Sequence, residues 1–351
     1  MTASTPPIEV DLSSDTATRP TPAMRRFMAE APVGDEQRRE DPTVNELQGM
    51  VAALTGKEAA LFLPSGTMGN AIAFSLHAAR GEAVVLDRWS HPNLYEAGGP
   101  AWLASVMLRP VDGPQGIFGA DHVRPLLDPG STHTSRTALI SVENTSNRGG
   151  GAIWPLATLR ELRALADEHG LRLHMDGARL LNAVVAGGVS APAYAELADS
   201  VWIDLSKGLG APVGAVLAGT AEFVERGRRL KHLFGGAMRQ AGIVAAGGVY
   251  ALRHHVDRLA EDHANARLLA AGLAAIPGVR LVYGTPETNI VFFDVAETGR
   301  SAEAVGRAIE AQGVRMGAEG AGGATIRAVT HLDVSAAGCE RAVAAVREAC
   351  R

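Results

Sequence analysis

The chain has 351 residues, nearly half of them apolar, with 40 glycines and a formal charge of −5 at neutral pH. That length supports one large domain plus a smaller one, and the slight acidity argues against nucleic acid or an anionic membrane surface as the main partner. No apolar run approaches membrane-spanning length, Met1–Asp15 carries no basic-then-apolar leader, and Cys339 and Cys350 form no metal-ligand cluster, so a cytoplasmic protein with reduced thiols and no metal is expected.

Residues 1–20 are polar and rich in Thr, Ser and Pro, and read as an N-terminal arm that is either disordered or packed over a site. A helix opens at Asp41-Pro42, with the acid as N-cap and Pro in the first helical position; Val44, Leu47, Val51 and Leu54 form its apolar stripe and Gly56 ends it. Ala59 to Leu63 is a short apolar approach to Pro64-Ser65-Gly66-Thr67, and Met68 to Arg80 reads as helix. Buried strands are expected at Ala83–Asp87, Ala138–Val142, Leu171–Met175, Val201–Leu205 and Val213–Ala218. Between the second and third lies a helix with a capping box at Thr158 and Glu161, closed by Gly170. Continuous apolar strands alternating with helices mean α/β: a large, mostly parallel sheet covered on both faces. From about Leu252 a long helix leads into a small α+β C-terminal domain, with strands near 279–283, 289–295 and 325–330 and helices near 302–312 and 335–349. The expected division is residues 1–20 as arm, 21–250 as large domain and 251–351 as small domain.

Two strand ends carry the chemistry. Asp176 closes the run 171–176, and Lys207 follows the run 201–205 in a Ser-Lys-Gly turn, thirty-one residues on. An amine that can form a Schiff base, paired with a carboxylate that can hold a pyridine nitrogen protonated, is what pyridoxal phosphate (PLP) requires. Ser65, Gly66 and Thr67 precede a helix, whose start suits a phosphate or is simply capped by Ser or Thr. Arg179, three residues after Asp176, is either a surface charge or a carboxylate ligand in the same pocket. His91 follows the strand 83–87, at a ligand-binding end of the sheet, where it could stack on a ring or act as a base. His133 sits in what reads as an exposed loop. Arg239, after the glycine pair 235–236, either belongs to a turn or reaches a phosphate from a neighbouring subunit. Arg327, a charge within a strand pattern, needs a partner, such as a substrate carboxylate.

The assembled segments resemble the L-threonine aldolases of the β-eliminating lyase group, PLP enzymes of the aspartate-aminotransferase fold (fold type I). The likeness rests on residues 11–20, 41–45, 56–67, 96–99, 143–145, 174–179, 205–214, 235–240 and 329–333. It implies that Lys207 is the Schiff-base lysine, that Asp176 binds the pyridine nitrogen, and that Gly66 and Thr67 bind the phosphate with help from Arg239 of a partner subunit. It implies further that His91 stacks on the ring, that Ser14, Arg179 and Arg327 hold the amino acid's α-carboxylate, and that His133 aligns loosely with a second active-site histidine. The expected activity is cleavage of L-threonine, L-allo-threonine or a related β-hydroxy-α-amino acid to glycine and an aldehyde. The expected assembly is a homodimer or homotetramer with sites at the subunit interface. Three positions depart from the family pattern: Arg38-Arg39-Glu40 replaces Tyr-Gly-Asp, His232 stands where Lys is frequent, and Ser13 where Arg is usual. Arg38, placed on the substrate side, motivates the alternative of a PLP lyase or transaldolase acting on a different β-substituted amino acid.

Overall fold

Apolar runs without polar alternation, such as 83–87 and 137–143, are buried along their whole length, as strands covered on both faces must be. The computed structural model describes residues 7–319 and 322–351, so the first six residues of the expected arm lie outside the described residues. In chain order the strands are β1 (Val10–Asp11), β2 (Ala59–Leu63), β3 (Ala83–Asp87), β4 (Met107–Val111), β5 (Thr137–Glu143), β6 (Arg172–Gly177), β7 (Ser200–Asp204), β8 (Ala215–Gly219), β9 (Arg280–Leu281), β10 (Ile290–Asp294), β11 (Val314–Arg315), β12 (Gly317–Glu319) and β13 (Thr325–Val329). Two units result, one spanning Pro20–Val256, the other joining the N-terminal residues up to Arg19 to Asp257–Arg351.

The larger unit holds a seven-stranded sheet in the order β2-β8-β7-β6-β5-β3-β4. Neighbours from β7 through β4 are parallel, and β8 runs antiparallel to both β7 and β2. Crossover helices such as Gly66–His77 and Leu156–His169 cover the sheet, with Leu61, Phe74, Leu86 and Leu217 among the buried residues of the core. The smaller unit holds the antiparallel sheet β12-β13-β10-β9. Leu269, Phe293, Ile309, Ile326 and Val346 share its core, and β1 pairs in parallel with β11, Val10 opposite Val314.

Several local readings are corrected. The helix Leu156–His169 starts directly after Pro155 and has no side-chain cap, so Thr158 and Glu161 lie inside it and form no capping box; Gly170 does end it at φ 64. The helix after Ser65 runs Gly66–His77, earlier than expected, because Ser65 Oγ accepts the Met68 N–H. The long helix from Leu252 is two helices, Gly242–His254 and Leu259–Ala274. The first was hidden by Gly247-Gly248, which weaken helix propensity. They are needed there for close packing: a Cβ on Gly248 would stand 2.7 Å from Leu205 Cδ1. Strand β4 escaped notice because it is an edge strand containing Pro110, which edges tolerate.

Candidate active site

Four neighbouring parallel strands each finish on or beside an acid: β3 on Asp87, β5 on Glu143, β6 on Asp176-Gly177 and β7 on Asp204. In open α/β sheets this edge is where ligands bind. Asp176 is 1% exposed. Its Oδ1 accepts the Ala178 N–H at 3.1 Å and its Oδ2 accepts from Asn70 Nδ2 at 2.9 Å. Lys207, in the turn after β7, holds its ammonium 3.2 Å from Asp204 Oδ2. Gly177, Arg179, Asp204 and Lys207 line one small cavity. The amine and the turn that carries the acid therefore meet.

Trp202 organises this corner. It stands opposite Asp176 in the β6–β7 register, and its indole N–H donates to Asn70 Oδ1 at 2.8 Å. The Lys207 ammonium lies 5.7 Å from its ring centroid. Gly66, the first residue of its helix, packs on the same ring: a Cβ there would stand 2.2 Å from Trp202 Cη2. Ser65 caps the helix, and the first-turn N–H groups of Gly66 and Thr67 have no intrahelical acceptors, a ready phosphate cup.

His91 begins a short helical turn and joins the cluster through carboxylates. Its backbone N–H donates to Glu143 Oε2 at 2.7 Å, and its Nδ1 is 2.9 Å from Glu96 Oε1. Glu96 Oε1 also accepts from Asn70 Nδ2 at 2.7 Å. Burial pushes Glu143 up to about 7, and the nearby charge of Asp176 adds to the rise. Burial also raises Glu96, against the hydrogen bonds from His91 and Asn70. Burial alone would lower His91, but the Glu96 hydrogen bond and the charges of Asp176, Glu96 and Glu143 hold it above the usual imidazole value. This edge thus gathers three buried carboxyl groups, Glu96, Glu143 and Asp176, around one imidazole.

The structure also places the other expected site residues. Arg179 is buried and precedes the helix Leu180–Gly187. Arg239 is largely exposed, its Nη1 donating to Asp35 Oδ2 at 2.9 Å. Arg38 is exposed, and its ion-pair partner among the described residues is Asp35, at 4.0 Å. His133 is not brought to the cluster: it lies on the exposed loop leading into the start of β5, the edge opposite Glu143 and Asp176. His232 is exposed at the end of the helix Ala221–Leu233. In the smaller unit, Ser14 caps a short 3-10 turn (Asp15–Ala17), and Arg327 on β13 donates to the Ser13 carbonyl at 3.1 Å. Sequence reasoning missed Asn70, Glu96, Glu143 and Trp202. Two of these, Glu96 and Glu143, stand in segments that carried the resemblance, while Asn70 and Trp202 sit in apolar runs with no local signal.

PLP needs an amine, a carboxylate for its ring nitrogen and a seat for its phosphate. Lys207, Asp176 and the Ser65–Thr67 helix start meet that list. The same edge also carries buried donors without a hydrogen-bond partner, Ser90 Oγ, Asn144 Nδ2 and Thr145 Oγ1, and such groups want a polar ligand. The residues fit the group.

Comparison with known proteins agrees. A beta-eliminating lyase family model matches residues 11–298. The low specificity L-threonine aldolase of Escherichia coli K12 is 43% identical over 327 residues, 93% of this chain and 95% of the relative. Low-specificity L-threonine aldolase 1 of Arabidopsis thaliana is 40% identical over 312 residues, 88% and 87% of the two chains. Among solved structures, Leishmania major threonine aldolase superposes with a TM-score of 0.84 at 21% identity, covering 97% of this chain and 100% of that one. The Sphingomonas wittichii serine palmitoyltransferase gives 0.74 at 19% identity, covering 97% and 87%. These two structures establish the fold, fold type I. Family model and relatives together place the chain: it belongs to the beta-eliminating lyase family.

Proposed function

We propose that this chain is a PLP-dependent carbon–carbon lyase that cleaves L-threonine, L-allo-threonine or a related β-hydroxy-α-amino acid to glycine and an aldehyde. The observation that carries the reading is the meeting of Lys207 with the turn Gly177–Arg179 that directly follows Asp176, around one cavity, with His91 tied to Asp176 through Glu96 and Asn70. When bound, PLP supplies the electron sink for the pair released by the breaking Cα–Cβ bond. Lys207 is the amine that would hold the cofactor. Asp176 would hold the ring nitrogen, and the helix start at Ser65, Gly66 and Thr67 would take the phosphate, with Arg239 of a second copy of the chain helping.

His91 would stack on the ring and accept the β-hydroxyl proton at Nε2, because its Nδ1 is committed to Glu96; the Cβ fragment would depart as the aldehyde, and the proton taken up would be available to the carbon that becomes glycine. Arg179 grips the α-carboxylate and fixes which bond breaks. Roles for Ser14 and Arg327 at that carboxylate rest on the family resemblance. A homodimer or homotetramer in the cytoplasm fits a partner-supplied Arg239 and the free thiols of Cys339 and Cys350. Among the described residues no helix is long and apolar enough to cross a membrane.

The test is glycine and aldehyde release from threonine, allo-threonine, phenylserine and 3-hydroxyaspartate. Release from threonine or allo-threonine that disappears in Lys207→Ala, together with the near-visible absorption of the lysine-bound cofactor, is expected. No release from any of the four refutes the reaction. A band that survives Lys207→Ala refutes the anchor.

A further inference from the structure

Asn70 is wholly buried inside the helix Gly66–His77, and all four of its hydrogen-bonding positions are used. The orientation of its amide follows from chemistry. The Trp202 indole N–H can only donate, so the atom it meets at 2.8 Å is the amide oxygen. The amide nitrogen therefore faces the other way, its two hydrogens on Asp176 Oδ2 at 2.9 Å and Glu96 Oε1 at 2.7 Å.

The consequence runs outward through the sheet. His174 Nε2 is 3.1 Å from the same amide oxygen and must donate to it. Full burial pushes His174 down to about 3, so its ring is neutral and Nδ1 is a bare acceptor. Ser200 Oγ, 2.7 Å from that nitrogen, donates its one proton there. The oxygen of Ser200 is then left to accept, and His77 Nε2, 2.8 Å away, donates to it. Burial likewise pushes His77 down to about 4, leaving one ring proton to be placed. Every donor from His77 to the two carboxylates points the same way, and such chains polarise cooperatively. At the far end Glu96 Oε1 takes the His91 Nδ1 proton at 2.9 Å.

We infer that Asn70 is a positioning residue for the reaction: it locks Asp176 and Glu96 as hydrogen-bond acceptors, fixes His174 as the Nε2–H tautomer and His91 as Nδ1–H, and so joins the ring-nitrogen acid to the proton-handling imidazole. The roles of Asp176 and His91 in this statement rest on the function proposed above. The tautomers do not. The groups facing His91 are Glu96, Glu143 and Asp176, and those facing the relay are Asp199, Arg172 and Arg226 at its His77 end and the two carboxylates bonded by Asn70 at the other.

The experiment uses the full chain with 15N-labelled histidine, both loaded with PLP and after its removal, and reads imidazole tautomers by long-range 1H–15N correlation. His174 and His77 are expected as neutral Nε2–H rings across pH 5.5–8.5, in both forms of the protein. Asn70→Ala should free the His91 tautomer and, by removing a hydrogen bond to each of two charged groups, weaken PLP affinity about 10- to 100-fold. Asn70→Asp, equal in size but without the donors, should lose at least as much. Should neither variant fold, Ser200→Ala reads the relay from outside: His77 loses its acceptor and becomes a tautomer mixture, while His174 stays Nε2–H because Asn70 still demands it. A wild-type His174 bearing its proton on Nδ1 overturns the inference. So does an Asn70→Ala protein whose His91 tautomer and PLP affinity stay within twofold of wild type, or a His174 that flips in Ser200→Ala. These spectra need no turnover. A protein with the expected tautomers that cleaves no β-hydroxy amino acid would therefore sink the reaction and leave Asn70's role intact.

Discussion

Lys231 and Glu36 form an ion pair with side chains only 2% and 3% exposed. The pair clips the loop at 35–40 to the glycine-rich loop that carries Arg239: Glu36 Oε2 accepts the Met238 N–H at 3.0 Å, and the Glu36 N–H donates to the Arg239 carbonyl at 2.9 Å. Lys231→Met keeps the aliphatic stem and removes the charge. It leaves a buried carboxylate with one backbone donor, and breaking a buried pair in this way costs about 3–5 kcal/mol. The carboxylate can escape by taking up a proton. At pH 7 that costs about 1.4 kcal/mol for each pH unit above the ordinary glutamate value, roughly 4 kcal/mol in all, which caps the loss. The expected outcome is therefore a destabilisation of about 3–4 kcal/mol at pH 7 that shrinks by about 1.4 kcal/mol per unit as the pH is lowered toward 5. Adding Glu36→Gln removes the buried charge yet keeps an acceptor for Met238, so the double variant should recover at least about 1.5 kcal/mol relative to Lys231→Met. Urea unfolding at pH 7 and 5.5, read by midpoint and slope, measures all three proteins. A single variant within about 1 kcal/mol of wild type, or a double variant less stable than the single one, would refute the assignment of a desolvated charge.

Glu143 supplies a pH test. Burial raises it from 4.5 unfolded to about 7 folded, so the folded state binds the extra proton, and this group's contribution is present below about pH 4.5 and lost as pH rises through 7. Glu143→Gln should lose one hydrogen bond at pH 5 but gain on wild type by up to about 3 kcal/mol by pH 8; parallel stability curves would contradict this. Gly66→Ala must displace a Trp202 ring that is anchored by its bond to Asn70, so PLP affinity should fall at least about tenfold, seen by equilibrium titration, and unchanged affinity would show that the ring yields. Asp41→Ala orphans backbone N–H groups of Thr43, Val44, Gly34 and Gly242 around a wholly buried carboxylate. A loss of about 4 kcal/mol in urea is expected, and one below about 1.5 kcal/mol would mean that water replaces those bonds.

Readable features were those whose physics is local. Asp41, Pro42 and Gly56 delimited a helix to the residue because a cap, a fixed φ and a left-handed exit act within four positions. The Thr158–Glu161 box failed on the same scale, since Pro155 had already started that helix one turn earlier. Continuous apolar runs announced a sheet buried on both faces. Asp176 and Lys207 stood out because a lysine in a Ser-Lys-Gly turn follows a strand-end acid by thirty-one residues, on two apolar runs of one type.

What the chain's order alone determined was the inner strands of the sheet, the capped helix Pro42–Thr55 and the candidate amine–acid pair, for each depends on neighbours in sequence. Only tertiary structure decided that Asn70, 106 residues before Asp176 and 132 before Trp202, would bond to both, and that His133 would fall at the far end of β5. Register across strands sets those meetings, and a shift of one residue would turn Trp202 and Asp176 to opposite faces of the sheet.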